Sequence, residues 1–431
     1  MRNLRIEIEI NGQSVYAGNI LGNDYHDAKF SYAEEYLADE HNRAISLSLP
    51  LQKQAFSVEK TRNFFEGLLP EGFLKRCIAQ TLQYDENDYL AILAALGSEC
   101  LGAIKVCEPN NDSIKSMYKK LANNEVKALA QEGAMESVQM VTKAHLSLTG
   151  ASGKVGLYYN EAANQWYFPI GEAPSTHIVK QSHVRLKKIV ANERLCLLTA
   201  QKLGINIPES FIIRVDSINN EDVLFATKRY DRFVDSSSRL LNGLRVPYRL
   251  HQEDFAQALG ISSKDKYEKN NAGYLKRLYD LLRAYSSEPI TDQIKLWDIC
   301  VFNYLIGNTD NHIKNLSLLY SKDLRQCRLA PAYDIVSTVI YDSSSENMAF
   351  SIGGIYNINS LDKDCFFKEA ENIGLGGKVA LKRFDRLVKN FSKALDAAKR
   401  TLINAGFDDV EEIAQQILAK GGIKNYINKN L

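Results

Sequence analysis

The sequence lacks the features that define several common classes of protein. No apolar run reaches the roughly 18 residues of a membrane-spanning helix, and the opening MRNLRIEIEI is charged and alternating, unlike a signal peptide. The seven cysteines include no C-x-x-C pair and have no nearby histidine at the spacing of a zinc site. We therefore expect a cytoplasmic protein with reduced thiols, no zinc site and no membrane contact.

The sequence also lacks an excess of charge of either sign. Its 53 lysines and arginines oppose 52 aspartates and glutamates, which leaves a formal net charge of +1. A protein that binds duplex DNA by itself needs a concentrated excess of Lys and Arg to neutralise the phosphates. We therefore expect any role on DNA to depend on a partner protein.

The chain of 431 residues is long enough for two or three domains, and residues 1–141 form the first predicted one. LRIEIEING and SVYAGNI alternate apolar and polar residues around an Asn-Gly pair, which indicates a hairpin. ISLSLPL predicts a strand, TRNFFEGLLPEGFLKRCIAQTL a helix interrupted at Pro70, and LAILAALGSECLGAIKV a helix followed by a strand. The polar stretch EPNNDSIKSMYKKLANNE marks the predicted inter-domain seam.

The pattern changes twice beyond this unit. Residues 142–250 predict strands in AHLSLTG, KVGLYYN, QWYFPI, HIVK, FIIRV and DVLFATKRYDRF, with one amphipathic helix in VANERLCLLTAQKLG. In residues 251–431 helical patterns dominate from HQEDFAQALG onwards. A sheet followed by helices predicts the α+β class with a bilobal protein-kinase-like fold, a small N-terminal α/β subdomain and a helical C-terminal lobe, although other α+β folds share this order.

Polar residues interrupt the apolar segment VFNYLIGNTDNHIKNLSL at a spacing that suggests catalysis. Asp310 and Asn315 stand at the D-x-x-x-x-N interval of a kinase catalytic loop. Asp310 would orient the substrate hydroxyl or accept its proton, and the amide oxygen of Asn315 would bind Mg²⁺. His312 is a further candidate, and Lys314 could place a cation on the transferred phosphoryl group. Because such an interval also recurs by chance, the prediction depends on finding the other parts of a phosphoryl transferase.

Those other parts occur in the expected order. LSLLYSKDLRQCRLAPAYDIVST predicts two short strands that return Asp334 to the same site as a second metal ligand, although Tyr333 and Ile335 flank it in place of D-F-G. Upstream, Lys180 ends the strand HIVK, and Glu193 begins the following helix as its possible ion-pair partner. Before these, the glycines of SLTGASGKVGLYY would let backbone N–H groups approach phosphates. The order favours a kinase-like site more than any single residue does.

Taken together, these segments resemble the HipA family of bacterial toxin kinases over nearly the whole chain. The matching stretches are NFFEGLLPEG, LGSECLGAIKV, LSLTGASGKVGL, PSTHIVK, ATKRYDRF, HQEDFAQALG, LIGNTDNHIKN and LAPAYDI. The resemblance implies a serine/threonine protein kinase that uses ATP and Mg²⁺, phosphorylates a translation protein such as an aminoacyl-tRNA synthetase, and promotes persistence. It also implies a helix-turn-helix antitoxin dimer, HipB-like, that binds operator DNA and carries the toxin in the repressor complex at the nucleoid.

The resemblance also assigns roles to individual residues. Asp310 matches the catalytic aspartate, Asn315 and Asp334 the metal ligands, and Lys180 the nucleotide-phosphate lysine. Lys228 and Tyr230 fall at the hinge that contacts adenine. The remaining nucleotide-binding predictions are Gly150, Ala151, Ser152, Gly153, Lys154, Gln252, His312 and Tyr333.

Ser147 matches the serine that the family autophosphorylates. The neighbouring loop is G-A-S-G-K where the family usually has G-A-Q-E-K, so it keeps Lys154 and loses the Gln and Glu side chains. The change also makes Ser152 a rival phosphorylation site.

Two alternative functions stay open at this point. An aminoglycoside-type kinase of small molecules also uses a D-x-x-x-x-N loop, although no acidic cluster for a cationic substrate occurs near residues 235–275. A non-catalytic co-repressor could keep a kinase fold for its surface alone, but the intact Lys180, Asp310, Asn315 and Asp334 favour an enzyme.

Overall fold

The structure, a computed structural model, describes residues 2–108, 115–131, 154–181, 186–215 and 222–427. The chain divides into two compact units. Unit 1 comprises Met1–His183, Ile213–Ser263 and Leu318–Gln326, and unit 2 comprises Val184–Ile212, Lys264–Ser317 and Cys327–Leu431. The predicted boundaries after residues 141 and 250 stay predictions.

Unit 1 begins with an antiparallel sheet in the strand order β3-β2-β1-β4. Its strands and helices are β1 Arg2–Ile10, β2 Gln13–Gly22, β3 Lys29–Tyr32, α1 Glu34–Ala38, α2 Val58–Phe65, α3 Gly72–Leu82, α4 Tyr89–Leu96 and β4 Ile104–Cys107. The predicted hairpin is confirmed, since Ile10 pairs with Gln13 across a turn in which Asn11 and Gly12 have φ of 52° and 80°. Two positive φ values are the signature of a type I′ turn, which Asn-Gly favours.

The predicted strand in ISLSLPL is wrong, because side chains bind its backbone in place of a neighbouring strand. Ile45 N donates to the hydroxyl of Tyr32 at 3.0 Å, and Leu47 N donates to the Glu253 carboxylate at 3.1 Å. Only an isolated bridge between Ser46 and Leu49 remains. The predicted interruption at Pro70 is confirmed, since α2 ends before it and α3 begins after it.

The second sheet of unit 1 contains strands in the order β5-β7-β6-β8-β10. The elements of this region are β5 Met117–Lys120, α5 Asn123–Gln131, β6 Lys154–Asn160, β7 Gln165–Ile170, β8 His177–Gln181, β9 Ser210–Arg214, β10 Val223–Lys228, β11 Arg232–Phe233, β12 Leu240–Leu241, β13 Leu244–Arg245, β14 Tyr248–Arg249, β15 Gln252–Asp254, α7 Phe255–Leu259 and β16 Ser317–Tyr320. β5 lies inside the stretch predicted as a seam and pairs with β7. The polar composition of that stretch therefore does not prevent it from joining the sheet.

Unit 2 is mainly helical, as the sequence predicts for the C-terminal lobe. Its elements are α6 Ile189–Lys202, α8 Tyr274–Tyr285, α9 Pro289–Ile306, β17 Cys327–Leu329, β18 Asn347–Ile352, β19 Ile355–Asn357, α10 Lys363–Asn372, α11 Gly377–Asn404, α12 Val410–Lys420 and α13 Lys424–Ile427. The long helix α11 packs on α6, α9, α10 and α12. Its buried residues Ala380, Phe384, Leu387 and Phe391 recur every three or four positions, the period of an amphipathic helix.

Two further properties hold for the described residues. None of their helices combines the length and the apolar character that crossing a lipid bilayer would require. All seven cysteines lie among them, and none is bonded to another.

Candidate active site

The segment that carries Asp310 begins at a fixed point at the end of α9. Gly307 ends that helix with φ of 73°, and its carbonyl accepts hydrogen bonds from Thr338 N at 3.0 Å and Val339 N at 3.1 Å. A Cβ atom at Gly307 would lie 2.2 Å from Cγ2 of Val339, so a side chain would not fit without rearrangement. We call residues 307–315 the Asp310 loop.

Hydrogen bonds inside the Asp310 loop fix the backbone of Asp310. Asn308 donates to Oδ1 of Asn303 at 2.7 Å and accepts from Asp310 N at 3.1 Å. The Asp310 carbonyl in turn accepts from His312 N at 2.8 Å and from Nδ2 of Asn315 at 2.9 Å. Asp310 itself is exposed, so its position is fixed while its side chain stays accessible.

One of these hydrogen bonds favours Asn315 as a metal ligand. Its side-chain nitrogen donates to the Asp310 carbonyl, so its side-chain oxygen is the atom left to bind a metal ion. Oxygen is the ligand atom that Mg²⁺ prefers. No cluster of three or more His, Cys, Asp or Glu side chains with metal-binding geometry occurs among the described residues. A site made of Asn315 and Asp334 needs no such cluster, because Mg²⁺ is commonly held by one or two carboxylates together with substrate phosphates.

The chain returns to this loop after β17 and places Asp334 beside it. Ala330 N donates to Ser317 O at 2.9 Å, and the hydroxyl of Tyr333 donates to Lys314 O at 3.0 Å. Asp334 has φ of 54°, in the left-handed region that non-glycine residues seldom adopt. Such a conformation costs of order 1 kcal/mol and often marks a functional position. The structure thus places the backbone of Asp334 beside the Asp310 loop, with its carbonyl oxygen 3.5 Å from Nδ2 of Asn308.

Two other predicted residues of the loop are buried, and one neighbour was not predicted at all. His312 is 6% exposed and Lys314 is 7% exposed, although their predicted roles require contact with a nucleotide or phosphoryl group. The Tyr267 hydroxyl donates a hydrogen bond to Oδ1 of Asp310. No sequence signal indicates this contact, because Tyr267 lies 43 positions before Asp310, outside any motif.

In unit 1, two predicted phosphate-binding lysines lie directly opposite each other. Lys154 of β6 pairs with Lys180 of β8, and directly paired residues of antiparallel strands project from the same face of the sheet. Lys154 is only 7% exposed. Two ammonium groups on one face of a sheet can bind one anion through charge-assisted hydrogen bonds. The pair therefore fits the phosphates of a nucleotide.

Of the residues predicted to contact the nucleotide base, Tyr230 and Gln252 lie together, and the Lys228 side chain lies elsewhere. Tyr230 and Gln252 are brought together, since the Tyr230 hydroxyl donates to Oε1 of Gln252. Lys228 pairs with His177, three positions from Lys180 along β8, so its side chain projects from the other face of the sheet. Its Nζ lies 3.1 Å from a carboxylate oxygen of Glu161. A hinge role for Lys228 would therefore use its backbone.

A buried network of charges surrounds the strand end that bears Tyr230. We call it the Glu99 cluster, and its members are Glu99, Arg229, Asp231, Arg232 and Arg249. Glu99 lies within 3.0 Å of all three guanidinium groups. Burial alone would raise the pKa of Glu99, but the guanidinium charges outweigh burial and hold it below its ordinary value. The cluster is thus charged and internally paired.

The phosphate loop itself lies outside the described residues. This applies to the predicted strand AHLSLTG and to the predicted site residues Ser147, Gly150, Ala151, Ser152 and Gly153. Lys154 is the first described residue after that loop.

Comparison with known proteins assigns both halves of the chain to one family. Residues 8–107 match the HipA N-terminal domain and residues 146–401 match the HipA-like C-terminal domain. The putative kinase Y4mE of Sinorhizobium fredii is 32% identical over 391 residues, which cover 88% of this chain and 89% of that protein. The serine/threonine-protein kinase toxin HipA of Shewanella oneidensis is 24% identical over 379 residues, 85% of this chain and 83% of that protein.

A solved structure agrees in fold. A chain of the complex of HipA, HipB and operator DNA from Shewanella oneidensis MR-1 superposes with a TM-score of 0.78 at 22% identity, covering 98% of this chain and 97% of that one. At this identity the likeness establishes the fold, and it confirms the predicted α+β kinase-like architecture. With both domains matched and with named kinases among its relatives, the chain belongs to the HipA family of kinases.

Proposed function

We propose that this chain is an ATP- and Mg²⁺-dependent serine/threonine protein kinase and the toxin of a toxin–antitoxin pair. The observation that carries the proposal is the arrangement of the Asp310 loop and the returning Asp334. Backbone and amide hydrogen bonds fix Asp310 and Asn315 while the Asp310 carboxylate remains exposed. Phosphoryl transfer depends on such positioning together with electrostatic stabilisation.

Each residue has a role in this proposal. Asp310 orients the acceptor hydroxyl and receives its proton, and Asn315 and Asp334 hold the metal ion. Lys154 and Lys180 bind nucleotide phosphates. Further residues are proposed to contact the rest of the nucleotide or the transferred phosphoryl group. They are Gly150, Ala151, Ser152, Gly153, Lys228, Tyr230, Gln252, His312, Lys314 and Tyr333. When bound, ATP supplies the phosphoryl group and Mg²⁺ neutralises its developing negative charge.

The partners follow from the relatives and from the charge of the chain. The Shewanella HipA occurs in a complex with HipB and operator DNA. We propose a HipB-like helix-turn-helix antitoxin dimer for this chain, with operator DNA reached through that antitoxin, because a net charge of +1 gives no overall excess of positive charge for binding DNA alone. In this scheme the chain is a co-repressor and cytoplasmic, nucleoid-associated when bound.

The proposed substrate is a protein of translation, such as an aminoacyl-tRNA synthetase, and Ser147 is the proposed site of autophosphorylation. A phosphate adds about −1.5 to −2 charges, and in this proposal it competes with ATP for the ammonium group of Lys154. Phosphorylation at Ser147 should therefore lower ATP affinity. Mass spectrometry of the active protein distinguishes Ser147 from its rival Ser152.

The decisive experiment compares wild type with Asp334→Ala in transfer from radiolabelled ATP. The variant should lose at least about 10³-fold in rate, since removing a metal ligand costs several kcal/mol of transition-state stabilisation. Asp323→Ala is the matched control, because Asp323 is a partly exposed aspartate of the neighbouring turn without a proposed role. Equal labelling by wild type and Asp334→Ala would refute the assignment.

The label also discriminates the alternatives. Label on phosphoserine or phosphothreonine of a lysate protein supports the proposal, whereas label confined to small molecules indicates the aminoglycoside-type function. Operator repression by an Asp334→Ala toxin with its antitoxin, combined with no transfer by wild type, indicates a non-catalytic co-repressor.

A further inference from the structure

The carboxylate proposed as the catalytic group is held by a residue from a distant part of the chain. The Tyr267 hydroxyl donates a hydrogen bond to Oδ1 of Asp310. The Tyr267 ring also meets the ring of His312 edge-on, with the centroids 5.1 Å apart and the planes at 86°. Two residues of the Asp310 loop therefore contact one side chain, and both contacts lie within unit 2.

The backbone that carries Tyr267 is anchored by the buried side chain of Glu268. Oε1 of Glu268 accepts from Gly273 N at 2.5 Å and from Tyr274 N at 3.2 Å, at the start of α8. Oε2 accepts from Ser351 N at 2.6 Å and from the Ser351 hydroxyl at 3.1 Å, on strand β18. One carboxylate thus joins three segments of unit 2 and fixes the position from which Tyr267 reaches Asp310.

We infer that Tyr267 is a positioning residue for the proposed phosphoryl transfer, so this inference rests on the proposed function. A hydrogen bond from a phenol to an ionised carboxylate is roughly twice as strong as one between neutral groups. By binding Oδ1, Tyr267 restrains the rotation of the Asp310 carboxylate and so orients it toward the acceptor hydroxyl. Tyr267 acts through Asp310 and transfers no proton itself.

The position of Tyr267 makes a clean test possible. Its side chain is 40% exposed, so Tyr267→Phe removes the hydroxyl without opening a cavity in the core, and the ring stays against His312. Misplacement of a reacting group by about 1 Å can cost 10²-fold in rate, and loss of one orienting bond should cost less. We expect kcat to fall about 10-fold.

The experiment measures steady-state transfer from ATP to the proteins of a cell lysate by the full chain, with ATP affinity and the thermal unfolding midpoint measured on the same samples. Tyr267→Phe should lower kcat while the KM for ATP changes by less than about two-fold, because the hydroxyl orients the acceptor side of the reaction. Tyr285→Phe is the control, since it removes a hydroxyl that is also in unit 2 from a residue 56% exposed. The control should match wild type.

Each other outcome overturns the inference in a recognisable way. An unchanged kcat shows that the bond does not matter, and a raised kcat shows that Tyr267 obstructs the acceptor. A fall in the unfolding midpoint that accounts for the lost rate, or an equal loss in Tyr285→Phe, shows a structural effect. No transfer by wild type would refute the proposed function as well, whereas transfer by wild type with an unimpaired Tyr267→Phe would refute the positioning role alone.

Discussion

Unit 1 and unit 2 each hold a group of polar side chains, and the two groups are bound in opposite ways. In the Glu99 cluster of unit 1, five charged side chains are buried and pair with one another. In unit 2, hydrogen bonds to the backbone fix Asp310 while its carboxylate remains exposed. The buried charges of the Glu99 cluster pair with one another and support the fold, whereas the exposed carboxylate of Asp310 is accessible to a substrate. Changes in the two groups should therefore separate stability from activity.

The largest expected effect on stability comes from breaking the Glu99 cluster. Glu99→Gln keeps the shape of the side chain but leaves Arg229, Arg232 and Arg249 with Asp231 as their one remaining carboxylate in the cluster. Removing one partner of a buried ion pair typically costs 3–5 kcal/mol, because an uncompensated charge stays buried. We expect a loss of about 4 kcal/mol in the free energy of unfolding, measured by urea denaturation. A loss below about 1 kcal/mol would contradict the structural role of the cluster.

A smaller and pH-dependent effect is expected at Glu253, the buried acid that binds residues 46–47. Burial raises the pKa of Glu253 to about 7, although Ser46, Leu47 N and Tyr320 donate hydrogen bonds to it. The folded pKa lies above the unfolded value of 4.5, so the folded state binds more protons between those values, and stability falls as pH rises from about 4.5 through about 7.

Substitution by glutamine should remove this dependence. Glu253→Gln should be more stable than wild type by roughly 2 kcal/mol at pH 8 and nearly equal to it at pH 4.5. Urea denaturation at the two pH values measures the difference. Parallel stability curves for wild type and variant across this range would show that Glu253 does not titrate as described.

The opposed residues Lys154 and Lys180 are expected to affect nucleotide binding. Lys154→Met should weaken Mg·ATP binding about 10-fold, measured by calorimetry, because it removes one of two cations on the phosphates. The urea unfolding midpoint, measured on the same samples, shows whether a loss of affinity merely follows a loss of stability. Lys119→Met, on an exposed residue of β5, is the control and should alter neither. Unchanged ATP affinity in Lys154→Met would contradict the proposed role of Lys154 in binding the nucleotide phosphates.

The smallest effect is expected where charges are paired but exposed. Lys276 lies 2.7 Å from Asp280 on the surface of α8, and both side chains are nearly half exposed. Lys276→Met should change the free energy of unfolding by less than about 0.5 kcal/mol, since solvent screens such pairs. A loss comparable with that of Glu99→Gln would show that burial does not decide which charges stabilise this fold.

Local signals predicted most of the fold correctly. The Asn11-Gly12 turn, the break at Pro70 and the helical period of residues 189–202 depend on the backbone and side chains of a short segment, which a sequence pattern displays directly. ISLSLPL failed for a non-local reason. The backbone N–H groups of Ile45 and Leu47 bind the side chains of Tyr32 and Glu253, and nothing within the stretch indicates those partners.

The candidate site shows the same division. Asp310 and Asn315 are close in sequence, so their spacing made them candidates, and the return of the chain at Asp334 follows from two short strands. The Tyr267 contact joins positions 43 apart, and the bonds from Glu99 to Arg229 and Arg232 join positions 130 and 133 apart. Tertiary folding brings these residues together, and no local periodicity in the sequence indicates their contacts.

The most direct test of the account measures activity and stability in one pair of variants. Asp310→Asn should lose at least about 10³-fold in transfer from ATP, while its urea unfolding midpoint stays at the wild-type value, because the exposed carboxylate contributes to the reaction and little to the fold. Glu99→Gln, assayed while folded, should keep measurable transfer and show the lowered midpoint. Wild-type transfer rates in Asp310→Asn, or an unfolding midpoint as low as that of Glu99→Gln, would contradict the account.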